Sequence, residues 1–242
     1  MSTYVMSDLH GCRQEFNKML ELIGFTDDDE LWINGDVCDR GVDSIQLLKD
    51  IIPRKNIHLI FGNHDIWLAR YAQELIDAKL DNNAVDMTED LMCWLHYNGG
   101  YRTADQFMDL ELEDCHEIKK YLENKLLYKW LTVSDKKFLL IHAGLTDDYL
   151  YPELDLDTVP EPILVWSHVD LDANPYNDCT LIVGHIPTFL YGPEYDGKII
   201  HSENDHTIHI DCGCVYGRTL GCLRLDDMKE FYVKSSYPRR GG

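Results

Sequence analysis

Positive charge is scarce in this chain: 22 Lys and Arg face 43 Asp and Glu across 242 residues, a formal net charge of -21 at pH 7. Such a field repels anions at long range and works against holding a nucleic-acid backbone, which argues against a DNA- or RNA-binding module. A phosphate-bearing substrate must instead be met by local positive charge, from bound cations and a few placed arginines. No apolar run approaches membrane-spanning length, and no basic stretch followed by an apolar segment precedes the first strand-like run. The expectation is a cytoplasmic protein with no membrane partner. The eight cysteines (12, 38, 93, 115, 179, 212, 214 and 222) show no C-x-x-C spacing, which leaves reduced thiols as the reading. Cys212-Gly213-Cys214, lacking a partner pair, reads as strand packing. No solenoid repeat or low-complexity tract occurs, and only the tail from Tyr237 to Gly242 looks loose. The length suits one well-buried core, so a single domain over residues 1–242 is expected.

What is present begins with an alternation of strand-like and helical patterns. A strand near residues 3–7 precedes Phe16, Met19, Leu20 and Ile23 at helical spacing. Leu31 to Asn34 then leads to a helix carrying Ile45, Leu48 and Ile51, and Ile57 to Phe61 leads to one beginning near Ile66. Repeated βα units imply parallel strands. From about 66 to 130 long amphipathic stretches take over, Trp67 to Lys79 and one with Ile118, Leu122 and Leu126, broken at Asn98-Gly99-Gly100. This segment reads as a helical insertion. Strands return at 138–141, 181–183, 206–210, 220–225 and 231–234, joined mostly by loops, which predicts a mainly antiparallel or mixed second sheet. Two sheets packed face to face with helices outside would bury both halves, giving an α/β sandwich.

The chemistry lies where the strands end. Ser7-Asp8-Leu9-His10-Gly11, Gly35-Asp36-Val37-Cys38-Asp39-Arg40-Gly41 and Gly62-Asn63-His64-Asp65 each follow a short apolar run and precede a helical pattern. In an open α/β fold, groups released at the ends of parallel strands converge on one sheet edge. Asp8 and His10 are two apart and can turn to one ion, Asp36 can bridge two cations, and Asn63 offers a neutral amide oxygen. Two further histidines follow strand-like runs, in Ile141-His142-Ala143-Gly144 and Val183-Gly184-His185. Oxygen and imidazole donors together suit Mn, Fe or Zn better than Ca. Two such cations ~3.5–4 Å apart would share a water and hold it for in-line attack on phosphorus. Arg40 matches phosphoryl oxygens, and His64, oriented by Asp39, is placed to protonate the leaving group. Singly, each of these residues has an ordinary structural explanation; their joint spacing does not.

In that order the motifs resemble the metal-dependent phosphoprotein phosphatases, a branch of the calcineurin-like metallophosphoesterases, whose pattern runs G-D-x-H-G, G-D-x-x-D-R-G, G-N-H-E, H-A-G or H-G-G, then G-H-T. Trp94 to Thr103 and Ile210 to Gly213 resemble segments of the bacterial members, which include protein phosphatases and symmetrical diadenosine tetraphosphate hydrolases. The resemblance implies a calcineurin-like sandwich and two divalent metals, with manganese first in expectation. It implies that Asp8, His10 and His185 hold one metal, Asn63 and His142 the other, and Asp36 both. It also implies His64 and Asp39 as the acid pair and Arg40, with Asn63 and His64, at the phosphate.

The chain departs from the pattern at Ser7, at Asp65 in place of the final Glu, and at Ile186-Pro187-Thr188 after His185. Many members also carry a second phosphate-binding Arg soon after a Trp, whereas Ser167-His168 follow Trp166 here; His168 and Arg218 are the candidate substitutes. The expected activity is a two-metal hydrolase of the serine/threonine protein phosphatase type acting on phosphoproteins. The alternative is a symmetrical dinucleoside polyphosphate hydrolase with a nucleotide pocket shaped by the insertion, and a third reading is a metal-stabilised binding protein without turnover.

Overall fold

The computed structural model describes residues 1–81, 85–151 and 154–239. Its strands are β1 Thr3–Met6, β2 Glu30–Asn34, β3 Ile57–Ile60, β4 Tyr128–Val133, β5 Lys136–Ile141, β6 Thr180–Val183, β7 Ile200–His201, β8 Thr207–His209, β9 Thr219–Arg224 and β10 Lys229–Lys234. The α-helices are α1 Arg13–Ile23, α2 Ser44–Ile51, α3 Asn63–Asp81, α4 Glu89–Met92, α5 Tyr101–Met108, α6 Leu112–Leu122 and α7 Glu161–Trp166. One sheet runs β10-β9-β1-β2-β3 and the other β4-β5-β6-β8-β7.

In the first sheet β1, β2 and β3 are parallel, as the βα repeat predicts, and β9 and β10 add antiparallel strands at the β1 side. The second sheet is mixed in a particular way: β5, β6 and β8 are parallel, with antiparallel β4 and β7 at the two edges. The inner strands are buried on both faces, which is why they read as continuous apolar runs, whereas the edge strands β4 and β10 are largely half-buried or exposed. Side chains still alternate. Val5, Trp32 and Ile60 of the first sheet meet Phe138, Leu140, Ile182 and Ile208 of the second in one apolar layer. Their neighbours Tyr4, Met6, Leu31, Ile33, Leu139 and Ile141 point the other way, into a larger cluster with Phe16 and Met19 of α1 and Ile45 and Leu48 of α2. The result is two mixed sheets packed face to face and flanked by helices.

Two sequence readings need correction. The helix expected to include Leu126 ends at Leu122; Leu126 instead leads into β4, and its carbonyl accepts from Phe61 N at 2.7 Å. The tail is tied at its start, since Val42 N donates to the Tyr237 hydroxyl at 2.9 Å, while residues 240–242 lie outside the described residues. Within the 66–130 segment, α3 packs against α5 and α6, and a π-helical turn over Cys93–Tyr97 precedes the Asn98-Gly99-Gly100 break.

A single polar residue bolts the sheets together. Asn34, fully buried at the end of β2, donates from Nδ2 to the carbonyls of Ile141 and Ile182 at 3.1 and 3.0 Å, across the sheet interface. Its own carbonyl accepts from His142 Nδ1 at 2.8 Å. The carboxyl ends of β2, β5 and β6 are thereby held at one place.

Candidate active site

The loops beyond β1 and β2 continue the strand pairing for a further turn. Asp8 N donates to Gly35 O at 3.0 Å, His10 N to Asp36 O at 2.8 Å and Gly11 N to Val37 O at 2.9 Å. To point their side chains at a common centre, Asp8, His10, Asp36, Asp39, Arg40 and His185 all adopt positive φ, between 41° and 72°. Left-handed backbone at non-glycine residues costs of order 1–3 kcal/mol each and persists where surrounding structure imposes it. At Asp36 the imposing group is Asp65. Its Oδ2 accepts from Asp36 N (2.8 Å) and Gly62 N (3.0 Å), and its Oδ1 from Val37 N (3.0 Å) and Cys38 N (3.3 Å). Burial, with Asp36 nearby, pushes the Asp65 carboxyl up to about 6, which leaves it an acceptor at neutral pH.

The six expected metal-binding side chains meet at the edge where the two sheets join. Asp36 Oδ2 is central, 3.6 Å from His10 Nε2, 3.4 Å from His142 Nε2 and 3.9 Å from His64 Nε2. Asn63 Oδ1 lies 3.3 Å from His142 Nε2, and Asp8 Oδ1 4.0 Å from His10 Nε2. Two groups of three share Asp36, one with His10 and His64 and one with His142 and His185. The resemblance pairs His185 with Asp8 and His10; in the structure its ring groups with His142, and its backbone N–H donates to Asp8 Oδ2 at 3.0 Å. Glycines make room for this crowding. A Cβ on Gly62 would sit 2.0 Å from Asp36 Oδ1, and one on Gly184 2.3 Å from Asp8 Oδ2.

The donor set fits divalent cations. His10 Nδ1 donates to Cys38 O at 2.7 Å and His142 Nδ1 to Asn34 O, so the Nε2 atoms turn inward. Asp8 Oδ1, buried beyond reach of water, has no hydrogen-bond partner. Burial, reinforced by Asp36, pushes Asp8 up to about 6. Burial also works to raise Asp36, but His142 and His64 outweigh it and hold Asp36 well below the usual carboxylate range. Burial likewise opposes charge on His142, yet Asp36 raises it to about 10; His185, buried beside His142, is driven down to about 3.

Asp39, Arg40 and His64 flank this centre. His64 Nδ1 donates to Asp39 Oδ2 at 2.8 Å, which also accepts from Trp94 Nε1 at 2.8 Å, while His64 Nε2 faces the cluster without a hydrogen-bond partner. Asp39 N is held by Ser44 Oγ and Thr103 Oγ1. Arg40 Nη1 donates to His10 Nε2 at 2.5 Å, and its guanidinium lies over the Tyr216 ring, 5.6 Å from the centroid.

Sequence reasoning missed Trp94 and Asn34 and took Asp65 as a mild departure. Asp65 carried one signal, its place in the G-N-H-E pattern. Trp94 opens the segment that resembles the bacterial members, but nothing local showed its bond to Asp39, 55 residues away. Both candidates for the missing arginine have other neighbours in the structure. Arg218 is engaged by Asp196 (3.1 Å), Tyr216 O (2.9 Å) and the Phe189 ring. His168 lines a hollow walled by Asp147, Asp148 and Asp170. Beside Arg40 a different hollow of 430 Å³ opens, walled by Arg102, His96, Tyr97, Tyr101 and Tyr216 among others. It contains part of the insertion that the sequence assigned to substrate choice.

The chain is 30% identical to a protein of Erwinia tasmaniensis over 98% of both chains, and 26% identical to one of Nitrosomonas europaea over 96% of this chain and 98% of that protein. Both relatives are named symmetrical bis(5'-nucleosyl)-tetraphosphatases. Among solved structures, a protein serine/threonine phosphatase from Saccharomyces cerevisiae superposes with a TM-score of 0.58 at 15% identity, covering 99% of this chain and 81% of that one, a likeness of fold. The sequence model of the calcineurin-like phosphoesterases matches residues 1–212, from before β1 through the whole donor cluster to the turn after β8, and the chain belongs to that family of metal-dependent phosphoester hydrolases.

Proposed function

We propose that this hydrolase cleaves the polyphosphate bridge of a dinucleoside tetraphosphate symmetrically, releasing two nucleoside diphosphates. The observation that carries the reading is the hollow beside Arg40, whose arginines and tyrosines suit a phosphate chain with a nucleoside at its end. The full-length relatives support the same substrate, so the phosphoprotein expected first from the sequence gives way to the dinucleotide. A binding protein without turnover would have no use for a buried His64–Asp39 pair aimed at the cluster.

In this reading Asp8, His10, Asp36, Asn63, His142 and His185 hold two divalent cations, with Asp36 shared; Mn, Fe and Zn all suit these donors. When bound, the cations supply positive charge at the phosphoryl group and an acidified water as nucleophile. His10 Nε2 would offer a metal the lone pair that Arg40 Nη1 now occupies, which would leave the guanidinium to phosphoryl oxygens. Asp39 orients His64 through Nδ1 and stabilises positive charge on it, which leaves Nε2 to deliver a proton to the departing diphosphate. Trp94 holds Asp39 from the other side.

The test is product analysis. The enzyme loaded separately with Mn, Zn, Fe or Mg is given diadenosine tetraphosphate and a panel of phosphoserine and phosphothreonine peptides. The expected nucleotide product is ADP alone, with kcat/KM on the dinucleotide well above that on every peptide. Release of ATP with AMP, or faster turnover of a peptide, overturns the proposal.

A further inference from the structure

Arg40 is not the only cation on the 430 Å³ hollow: Arg102, exposed at the start of α5, faces it too. No carboxylate is among the described residues that line it, in a chain with 43 acidic residues. Its rim carries aromatic side chains that the fold does not use. Tyr97 is 85% exposed and Tyr101 59% exposed, and both line the hollow opposite the half-buried Tyr216. An isolated exposed aromatic is ordinary; two at one mouth with two guanidiniums are a binding surface.

The hollow is also fixed to the reacting end. Arg40 N donates to Gly99 O at 3.1 Å. Gly99, at φ +82°, brings its backbone so close that a Cβ there would lie 3.0 Å from Arg40 Cγ. A Cβ on Gly100 would lie 2.2 Å from Trp94 Nε1, the group that holds Asp39. A ligand seated on Tyr97, Tyr101 and Arg102 is thus in register with Arg40 and the donor cluster.

We propose that this hollow is the subsite for one nucleoside diphosphate half of the substrate, with Arg102 holding the phosphate next to the reacting one and Tyr97 and Tyr101 stacking the base. The inference rests on the dinucleotide reading above. A four-phosphate bridge extends beyond the phosphoryl group at the cluster and Arg40, and in this acidic chain the adjoining phosphate needs a cation within its own reach. Arg102 presents a planar fork suited to phosphate. Nucleobases stack on aromatic faces whatever their identity. A volume of 430 Å³ lies at the lower end of ligand pockets, about 300–1,000 Å³, and takes one nucleoside with its phosphates rather than two. The enzyme therefore grips one half of a symmetric substrate, and the other half is the leaving group.

The test uses the metal-loaded full chain, wild type and the Arg102→Ala, Arg102→Lys, Tyr97→Ala and Tyr101→Ala variants. Equilibrium binding of ADP is measured alongside kcat/KM on diadenosine tetraphosphate and on 4-nitrophenyl phosphate, which lacks a nucleoside. Arg102→Ala is expected to raise KM for the dinucleotide, to weaken ADP binding at least tenfold, and to lower the dinucleotide to nitrophenyl kcat/KM ratio by a similar factor; Arg102→Lys recovers part of the loss. Each tyrosine change lowers ADP affinity and the same ratio about 5- to 100-fold, the range of base–aromatic stacking. Unchanged ADP binding and an unchanged ratio in all four variants overturn the subsite. Wild-type enzyme that binds ADP through Arg102 and the tyrosines but does not cleave the dinucleotide sinks the parent reading and keeps the subsite. A phosphoserine peptide that binds through these residues while ADP does not overturns both.

Discussion

Asp65→Asn isolates the part of the site that no substrate touches. The substitution keeps the volume but turns one acceptor oxygen into a donor NH2. In either amide orientation one pair of backbone N–H groups loses its acceptor, either Asp36 N and Gly62 N or Val37 N and Cys38 N. All are buried, so water cannot compensate. Hydrogen bonds to a charged group contribute about 1.5–3 kcal/mol each, which puts the loss at about 3–6 kcal/mol. For a chain of this size, at roughly 2–4 °C per kcal/mol, thermal unfolding should come about 6–24 °C earlier. The strained backbone at Asp36 and Asp39 would relax with it, so metal affinity should fall together with stability. Differential scanning calorimetry and metal titration of the same sample measure both. A Tm within 2 °C of wild type together with unchanged metal affinity would refute the idea that Asp65 imposes the loop geometry.

Other consequences are open to the same kind of check. A leaving alkoxide gains more from a delivered proton than a diphosphate whose terminal phosphate ionises near pH 6; His64→Asn should therefore cost about 10²–10⁴-fold in kcat on an alkyl phosphomonoester and a smaller but measurable factor on diadenosine tetraphosphate, and no loss on either would count against His64 as the acid. Trp94→Phe removes one of the two hydrogen bonds that Asp39 Oδ2 accepts and should lower kcat about tenfold with KM little changed; steady-state kinetics on both substrates decides it. His209, fully buried with Nε2 donating to Leu171 O, is pushed down from 6.5 to about 4 by burial. The unfolded chain takes up that proton between pH 6.5 and 4 while the folded one does not, so stability present above pH 6.5 is lost as pH falls, by roughly 3 kcal/mol in all. His209→Gln should flatten the fall of Tm over that window, and an unchanged slope would assign it to other groups.

The first three βα units and their loops were legible because the information is local: an apolar run, then Asp or His beside glycine, then a helical period. The donors were legible for the same reason, each sitting within a few residues of a strand end. What escaped was set by distance along the chain. β4 was hidden because Leu126 continues the period of Ile118 and Leu122, and only its pairing with β5 and the bond from Phe61 N make the segment extended. The parallel order of β5, β6 and β8 was equally hidden, since the β5–β6 connection holds only the short α7 and 3-10 turns, and the β6–β8 connection holds 3-10 turns and β7, rather than the long amphipathic helix that usually announces a crossover. Asn34 and Trp94 look like an ordinary strand end and an ordinary core aromatic until their partners, more than 50 residues away, are in place.

The bolt at Asn34 has a consequence for the order in which the protein becomes active during synthesis. All three opening motifs are made by residue 65, yet the carbonyls that Asn34 clasps belong to Ile141 and Ile182, and the last donor to the cluster is His185. A nascent chain carrying the three opening motifs therefore lacks the last member of its own cluster for more than a hundred further residues. The shared edge of the two sheets is complete only when β6 lies beside β5 and Ile182 O reaches Asn34.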